Sequence, residues 1–141
     1  MLPIVLTKPQ KVLIVGAGRA CEIKLKSLTS FLECDITIVS LDFPKKFDSD
    51  YKKVYKDFYS LPYKFFTPFD LIYIAIELQD TTMVKKLAQT KLINILSNPS
   101  LSNFRHPCTR EKNNTLISVT NIDKPNPKKA CNLVQKFISI I

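Results

Sequence analysis

The feature that most constrains this chain is a pair of glycines one residue apart, Gly16 and Gly18. Average glycine usage of about 7% predicts about ten glycines in a chain of this length, yet the 141 residues contain no others. The pair follows the continuous apolar run 11–15 and precedes residues with a helical period from Arg19 onward. Because the chain makes its other turns without glycine, these two positions serve a purpose other than general flexibility.

Four short, apolar, β-branched runs predict buried parallel strands. They occupy residues 11–15, 35–40, 70–76 and 92–96. The apolar run 2–6, bounded by prolines, predicts a further strand at a sheet edge, where proline is tolerated. Residues 43–62 lack a clean period, and we expect a loop with one short helix there.

Helical periods separate these strands. The first helix begins at Arg19 and is expected to run about four turns. Its predicted inner face consists of Ala20, Ile23, Leu28, Phe31 and Leu32. A second helix is predicted over 79–90, with Met83, Leu87 and Ala88 at helical spacing and Asp80 as its N-cap. This alternation predicts a Rossmann-like, doubly wound parallel α/β sheet.

The last third of the chain changes in character. We predict a dinucleotide-binding domain over 1–97 and a shortened substrate-binding and dimerisation extension over 98–141. Within the extension, residues 115–120 predict a strand and residues 127–141 a helix that begins with proline. Seven basic residues against two acidic ones give the extension a net charge of +5, more than half of the chain's +9.

Charge pattern, cysteine spacing and hydropathy exclude several classes of protein. The basic residues occur singly and in pairs, without an Arg-rich stripe or an RNA-binding motif, so we expect no nucleic-acid partner. The cysteines at 21, 34, 108 and 131 lack metal-site spacing, so we expect reduced thiols and no metal, with Cys108 as a buried apolar residue. The apolar stretches are too short for a signal peptide or a membrane span, which favours a cytoplasmic protein without a membrane partner.

The glycine pair predicts a dinucleotide site. In a strand–loop–helix unit the first glycine makes the tight turn, the second lets a pyrophosphate approach the backbone, and amides at the helix start bind the anion. Gly16, Gly18, Arg19 and Ala20 are therefore predicted to contact the cofactor. Cys21 takes the third, close-packed position of the motif. The alternative is that a strand-to-helix turn simply needs two glycines.

The adenosine ribose would meet the end of the next strand. Asp42, shortly after Ser40, is the candidate acid for the ribose hydroxyls and favours NAD. Arg19 could equally favour the 2′-phosphate of NADP, or could be a solvated arginine at a helix start.

With these motifs placed, the chain resembles the N-terminal module of siroheme synthase, the precorrin-2 dehydrogenase and sirohydrochlorin ferrochelatase family. The resemblance covers nearly the whole chain. It rests on LP at 2–3, VLIVGAGRACEIKLKSL, TIVSLDF, IAI, NILSNP and FRHP, followed by a strand and a proline-opened helix. The opening pair, the glycine loop and the spacing of Glu22 and Lys24 are its most specific parts.

The resemblance implies an activity and further site residues. The family binds NAD at the glycine loop, oxidises precorrin-2 to sirohydrochlorin and, in bifunctional members, inserts ferrous iron. Ser40, Ala75 and Ile76 would join the cofactor contacts. A tetrapyrrole polycarboxylate would be the substrate, with Asn98, Arg105 and His106 as candidate substrate contacts, and the basic extension would suit its charge.

The sequence departs from the family where the chemistry is expected. Ser97 stands in the place of the family's aspartate, and a serine does not ionise near neutral pH. Glu77 follows Ala75 and Ile76 in place of the family's Ala-Thr segment, and TNIDKPNP replaces a glycine-containing turn. Ser97 and His106 are the candidate catalytic residues. His106 is the only histidine in the sequence, and histidine is the residue type whose ordinary pKa lies in the physiological range. His106 could instead be a loop residue bonded to backbone.

Different functions therefore stay open. One is an NAD-linked precorrin-2 dehydrogenase, with or without ferrochelatase activity. Another is a non-catalytic dinucleotide- or tetrapyrrole-binding module of the same fold that has lost turnover. A dinucleotide-sensing domain of the potassium-channel type would leave FRHP unexplained. We expect a homodimer, because the C-terminal helix is too apolar to stand alone in water.

Overall fold

The computed structural model describes residue 1 and residues 3–31, 33–47 and 51–141. Contacts divide the chain into two compact units. We call residues 4–104 the sheet unit, and residues 1–3 together with 105–141 the hairpin unit. The predicted domain boundary after residue 97 stays a prediction, and the compact units divide after Phe104.

The sheet unit is built around five parallel strands. They are β1 (Gln10–Val15), β2 (Cys34–Ser40), β3 (Lys52–Tyr55), β4 (Leu71–Ile74) and β5 (Leu92–Ile95). Their order across the sheet is β3-β2-β1-β4-β5, and each neighbouring pair is parallel. This is the strand order of a Rossmann fold. The predicted doubly wound α/β fold is confirmed.

Both faces of the central strands are buried, because alternate side chains point to opposite sides of a strand. On one face, Val12 and Ile14 pack with the helix α1 (Arg19–Thr29). On the other, Leu13 and Val15 pack with the helix α2 (Thr82–Leu87) and with aromatic side chains of two 3₁₀ segments. Those segments are Phe58–Ser60 and Tyr63–Phe66. Sheet strands covered on both sides explain the continuous apolar runs in the sequence.

The helix α1 is shorter than predicted and buries a different face. It spans 11 residues, about three turns. Its buried side chains are Cys21, Leu25 and Leu28, which are spaced by four and three residues. Ile23 lies two residues, roughly 200°, from Cys21 around the helix and is 58% exposed. The predicted face is therefore confirmed at Leu28 and wrong at Ile23 and Phe31, which are exposed. Leu32 lies outside the described residues.

The second helix is also shorter than its sequence pattern predicts. It spans six residues, with Thr81 at its N-cap position. Asp80 nevertheless binds the helix start, because its Oδ1 accepts hydrogen bonds from the Thr82 amide and the Thr82 hydroxyl. These two bonds lower the pKa of the Asp80 carboxyl. Val84 and Leu87 are its buried residues.

The edge of the sheet is not where the sequence predicts it. Described residues 3–6 form no strand, and Ile4 and Val5 are exposed, so the predicted N-terminal edge strand is wrong there. Leu2 lies outside the described residues. The two edge strands are β3 and β5. β3 pairs with β2 from Thr37 opposite Lys52 to Ser40 opposite Tyr55. It lies inside the region predicted as a loop.

The hairpin unit contains the predicted strand and helix and one further strand. Strands β6 (Cys108–Lys112) and β7 (Thr115–Val119) are antiparallel, and the helix α3 spans Pro127–Ile140. Asn113 and Asn114 join the strands with φ values of 52° and 58°, as a two-residue hairpin turn of type I′ requires. None of the helices that the described residues form is long and apolar enough to cross a bilayer.

Candidate functional site

The predicted cofactor residues meet at the carboxyl end of the sheet. Strand β1 lies at the centre, with β2 on one side and β4 on the other. The chain leaves β1 toward β2 and later returns to the opposite side of β1. Ligands of open α/β sheets bind at such a switch point. In register, Val15 lies opposite both Val39 and Ile74, so the segments that follow these three residues share one edge.

Gly16 makes the sharp turn out of β1. Its φ is +101°, in the region that side-chain-bearing residues avoid. A Cβ at this position would lie 2.8 Å from Ile76 Cγ2 and 2.9 Å from the carbonyl oxygen of Ala75. The Gly16 amide donates to the carbonyl of Val39 at 2.7 Å. Gly16 is therefore needed for the turn and for the close approach of the segment after β4.

Gly18 differs from Gly16 in what surrounds it. Its φ of −90° and ψ of −167° describe extended backbone that any residue adopts. A Cβ there would meet no protein atom within 4 Å, so nothing in the fold requires glycine at this position. Gly18 is the N-cap residue of α1 and provides no side-chain bond to the helix start. A pyrophosphate needs open space beside the backbone amides of a helix's first turn, which have no partner within the helix. The residues present therefore fit a dinucleotide.

The first turn of α1 presents one side to solvent and one to the sheet. Arg19 is exposed and Ala20 is half-buried. Cys21 is fully buried, and burial, with a smaller contribution from the Glu22 charge, raises the pKa of its thiol to about 12. Cys21 is thus a packing residue, as the third position of the motif predicts. In the described part of the chain, no three His, Cys, Asp or Glu side chains cluster as metal ligands would.

The end of β2 presents the candidate acid for the ribose. Ser40 is half-buried at the last position of the strand, and its carbonyl accepts the Lys56 amide at 3.1 Å. Asp42 lies two residues further and is exposed. Leu41, between them, is 73% exposed. A carboxylate and an apolar side chain thus stand at the sheet edge beside the glycine loop.

One side chain at the carboxyl end of the sheet, Tyr55, was not predicted from the sequence. Tyr55 ends β3 opposite Ser40 and is 66% exposed, and its ring packs against Phe43 at 4.8 Å between centroids. An exposed aromatic and Leu41 give this edge an apolar surface suited to a purine ring. The available signal was the pair Val54 and Tyr55 after two lysines, because β-branched and aromatic residues are enriched in strands.

The ends of β4 and β5 complete the edge. The Ala75 amide donates to the Val15 carbonyl at 2.8 Å, and the next residue, Ile76, meets Gly16. Ser97 follows β5 and is exposed, and its hydroxyl donates to the carbonyl oxygen of Ile76 at 3.1 Å. Ser97 therefore lies at the carboxyl end of the sheet, next to the segment that meets Gly16. Asn98 follows it, and its side-chain oxygen accepts from the Ser100 hydroxyl.

The remaining predicted site residues belong to the hairpin unit. The Arg105 guanidinium donates to the carbonyl oxygens of Asn121, Ile122 and Asp123. This arrangement fixes the loop before α3 and occupies much of the donor capacity of the guanidinium. His106 is half-buried in the same unit. A substrate-binding role for Asn98, Arg105 and His106 stays a prediction, as do the catalytic roles of Ser97 and His106.

The spacing of Glu22 and Lys24 has a structural basis. Glu22 forms an ion pair with Lys46 of the loop after β2. Lys24 lies over the ring of the buried Tyr73, with its Nζ 5.5 Å from the ring centroid. Burial lowers the pKa of the Lys24 ammonium. Both side chains therefore fix α1 to the rest of the sheet unit.

Comparisons with known proteins agree with this geometry. Residues 4–108 match the model of a family described as "Putative NAD(P)-binding". A solved structure titled "SirC, precorrin-2 dehydrogenase" shares the fold over 100% of this chain and 71% of its own, with a TM-score of 0.75 at 18% identity. A "putative NADH-flavin reductase" from Streptococcus pneumoniae TIGR4 covers 61% of this chain and 46% of its own at 14% identity, with a TM-score of only 0.42. The comparison with curated proteins gives no match.

Proposed function

Because the chain belongs to the NAD(P)-binding family whose model spans residues 4–108, we propose that it is an NAD-dependent dehydrogenase that oxidises precorrin-2 to sirohydrochlorin. The observation that carries the proposal is the open position at Gly18, where the fold leaves room for a pyrophosphate beside the start of α1. The resemblance of the motifs to siroheme synthase, and a fold neighbour titled precorrin-2 dehydrogenase, support the choice of substrate.

The sheet edge favours NAD over NADP. Asp42 is exposed just beyond β2, where a carboxylate accepts hydrogen bonds from the ribose hydroxyls and repels a 2′-phosphate. Arg19, the residue that would favour NADP, is the first residue of α1 and would lie beside the pyrophosphate. We therefore assign the coenzyme preference to Asp42.

The chain's own groups bind and orient more than they react. When bound, the oxidised nicotinamide supplies a hydride acceptor. The backbone at Gly18 and α1 would hold the pyrophosphate, and the basic extension would attract the substrate carboxylates. Ser97 holds the segment after β4 through the Ile76 carbonyl rather than acting as a base. His106 is then the candidate for moving a proton near neutral pH, since histidine is the residue type suited to that task. Iron insertion into sirohydrochlorin is the second reaction to test.

The coenzyme preference is tested by calorimetric titration of the native chain, Asp42→Asn and Asp35→Asn with NAD and NADP. Asp35 is an exposed acid at the other end of β2 and provides a matched loss of one charge. Loss of hydrogen bonds to a charged group costs about 1.5–3 kcal/mol, so Asp42→Asn should bind NAD at least about tenfold more weakly. Equal weakening by both variants would contradict the assignment to Asp42.

The reaction is tested by incubating the native chain with precorrin-2 and NAD. NADH absorbance and the sirohydrochlorin spectrum should appear together, and at NAD concentrations below the dissociation constant both should form at least about tenfold more slowly in Gly18→Ala. A chain that binds NAD yet forms neither product would remove the enzymatic claim and leave the nucleotide site intact. Adding ferrous iron to the product mixture tests chelation through the loss of the sirohydrochlorin spectrum.

A non-catalytic binding module is the second candidate. The observation that favours it is Ser97, whose hydroxyl binds the Ile76 carbonyl at the position where the resemblance to siroheme synthase implies a carboxylate. We expect Ser97→Asp to gain turnover if the native chain has lost it, and Ser97→Asn to stay inactive as a neutral control. Turnover in the native chain at the level of Ser97→Asp would reject this candidate.

We also propose that the chain forms a homodimer through α3. Phe137 and Ile140 of this helix are 48% and 78% exposed, an apolar surface that a second copy would cover. Light scattering should give twice the chain mass, and Ile140→Lys should shift the mass toward one chain. A native chain that stays monomeric at high concentration would refute this.

A further inference from the structure

Two cysteines far apart in the sequence meet in the hairpin unit. Cys108 begins β6 and Cys131 lies in the first half of α3, 23 residues further along the chain. Their Sγ atoms are 2.6 Å apart, and both residues are free cysteines. Cys108 is half-buried and Cys131 is exposed, which corrects the prediction that Cys108 is a buried apolar residue.

The packing of α3 keeps these thiols together. Ala130 and Val134, on either side of Cys131 in the sequence, are the buried residues of the helix. Toward the other end of the helix, the Lys112 ammonium at the end of β6 donates to the carbonyl of Ile138 at 2.9 Å. The helix is thus fixed to the hairpin at two separated points, so the thiols meet without a change in the fold.

We propose that Cys108 and Cys131 form a reversible disulfide that ties the first half of α3 to β6 when the thiol–disulfide poise becomes oxidising. The oxidant is a small-molecule disulfide such as glutathione disulfide. The cysteines at 21 and 34 belong to the sheet unit and take no part.

The exchange has two steps. Cys131, the exposed thiol, loses its proton and attacks one sulfur of glutathione disulfide, whose S–S bond breaks and releases one glutathione thiolate. Cys108 then loses its proton and attacks Cys131 Sγ, which breaks the mixed disulfide and releases the second glutathione thiolate. The two protons pass to the two glutathione thiolates. Two cysteine thiols are oxidised and one glutathione disulfide is reduced.

The environment of the two thiols fits this order. Burial raises the pKa of the Cys108 thiol, and its contact with Cys131 raises it further, while the Arg110 charge opposes both effects. Cys108 is therefore mostly protonated near neutral pH and poor as a first nucleophile. Once Cys131 carries glutathione, Cys108 is the thiol placed beside the reactive sulfur.

The proposal is tested on the intact chain in a series of glutathione redox buffers, followed by alkylation, intact mass measurement and non-reduced peptide mapping. We expect a form that lacks two hydrogens and two alkylated thiols, with the Cys108 and Cys131 peptides linked. The yield should not depend on protein concentration, and dithiothreitol should reverse it. Hydrogen exchange of the α3 amides should slow on oxidation.

Three variants define the result. Cys34→Ser should oxidise as the native chain does, because the pair is untouched. Cys108→Ser should stop at a glutathione adduct on Cys131, and Cys131→Ser should form no internal disulfide. Four free thiols in fully oxidised glutathione, a link between two copies, a link to Cys21 or Cys34, or a lasting adduct on native Cys131 would each overturn the proposal. The native chain alone decides these outcomes, so they do not depend on the folding of the variants.

Discussion

Substitution of Gly16 by alanine tests the geometry on which the nucleotide site depends. Two independent costs follow from the structure. The φ of +101° places an alanine in sparsely populated backbone space, at about 1–3 kcal/mol. The new Cβ also lies 2.9 Å from the Ala75 carbonyl oxygen, which belongs to backbone held by a sheet hydrogen bond and cannot rotate away, so overpacking adds about 1–3 kcal/mol.

These costs predict a destabilisation of about 2–6 kcal/mol, which lowers the melting temperature of a chain this long by roughly 8–24 °C. Thermal unfolding followed by far-ultraviolet circular dichroism measures the shift. Gly18→Ala is the matched control, because the same methyl group enters open space on ordinary extended backbone. We expect its melting temperature to fall by no more than about 4 °C, since alanine is a poorer N-cap than glycine by about 1 kcal/mol or less.

The two variants should separate stability from binding. Gly18→Ala should fold normally and bind NAD at least about tenfold more weakly, because its methyl group fills the space left for the pyrophosphate. A Gly16→Ala variant as stable as native would refute the steric argument. Equal destabilisation by both substitutions, or native affinity in Gly18→Ala, would refute the distinction between a glycine needed by the fold and one needed by the ligand.

Three further changes have expected outcomes. The Cys21 thiol has a pKa of about 12 in the folded chain against an ordinary 9.0, so above pH 9 it ionises more readily in the unfolded chain. Its contribution to the free energy of unfolding is therefore full below pH 9 and is lost as the pH rises toward 12. In urea unfolding, Cys21→Ala should lose less stability than the native chain at alkaline pH, and an equal loss of stability would contradict this. Asp70 accepts the Lys11 amide at 2.8 Å, so Asp70→Ala should cost about 1 kcal/mol in urea unfolding, and no change would mean that water replaces the bond. Asn126 caps α3 through the Lys129 amide, so Asn126→Ala should speed hydrogen exchange at the helix start whereas exposed Asn132→Ala should not; equal exchange in both would argue against the cap.

The sequence predicts the buried strands and the glycine loop well, because both depend on strong local rules. Strands covered on two faces must be continuously apolar, and a turn with a positive φ beside backbone must be glycine. These rules identify β1 and β2, with Gly16 between β1 and α1. The position of Asp42 follows from the same unit, since it only requires counting beyond the end of β2.

The edges of the fold escape such rules. β3 contains Lys52 and Lys53, and lysine on an edge strand discourages pairing with other chains while it also hides the strand from a hydrophobicity pattern. β6 is as polar as β3. It belongs to a two-stranded sheet with β7 and packs on α3, so it needs no continuous apolar run. The contact of Cys108 with Cys131 depends on that packing, so spacing alone could not show it. In α1, the sequence pattern treats every apolar residue as buried and therefore placed the exposed Ile23 on the buried face.

The turn at Asn113 and Asn114 affects the chain even when it is unfolded. Glycine commonly fills such positions, but it also gives the denatured chain more conformations. The corresponding conformational entropy is lost when the hairpin forms. Replacing a glycine by a residue that fits the same backbone lowers that entropy by an equivalent of about 0.4–1 kcal/mol. With asparagine at both turn positions, the unfolded hairpin unit samples fewer backbone conformations than it would with glycine there.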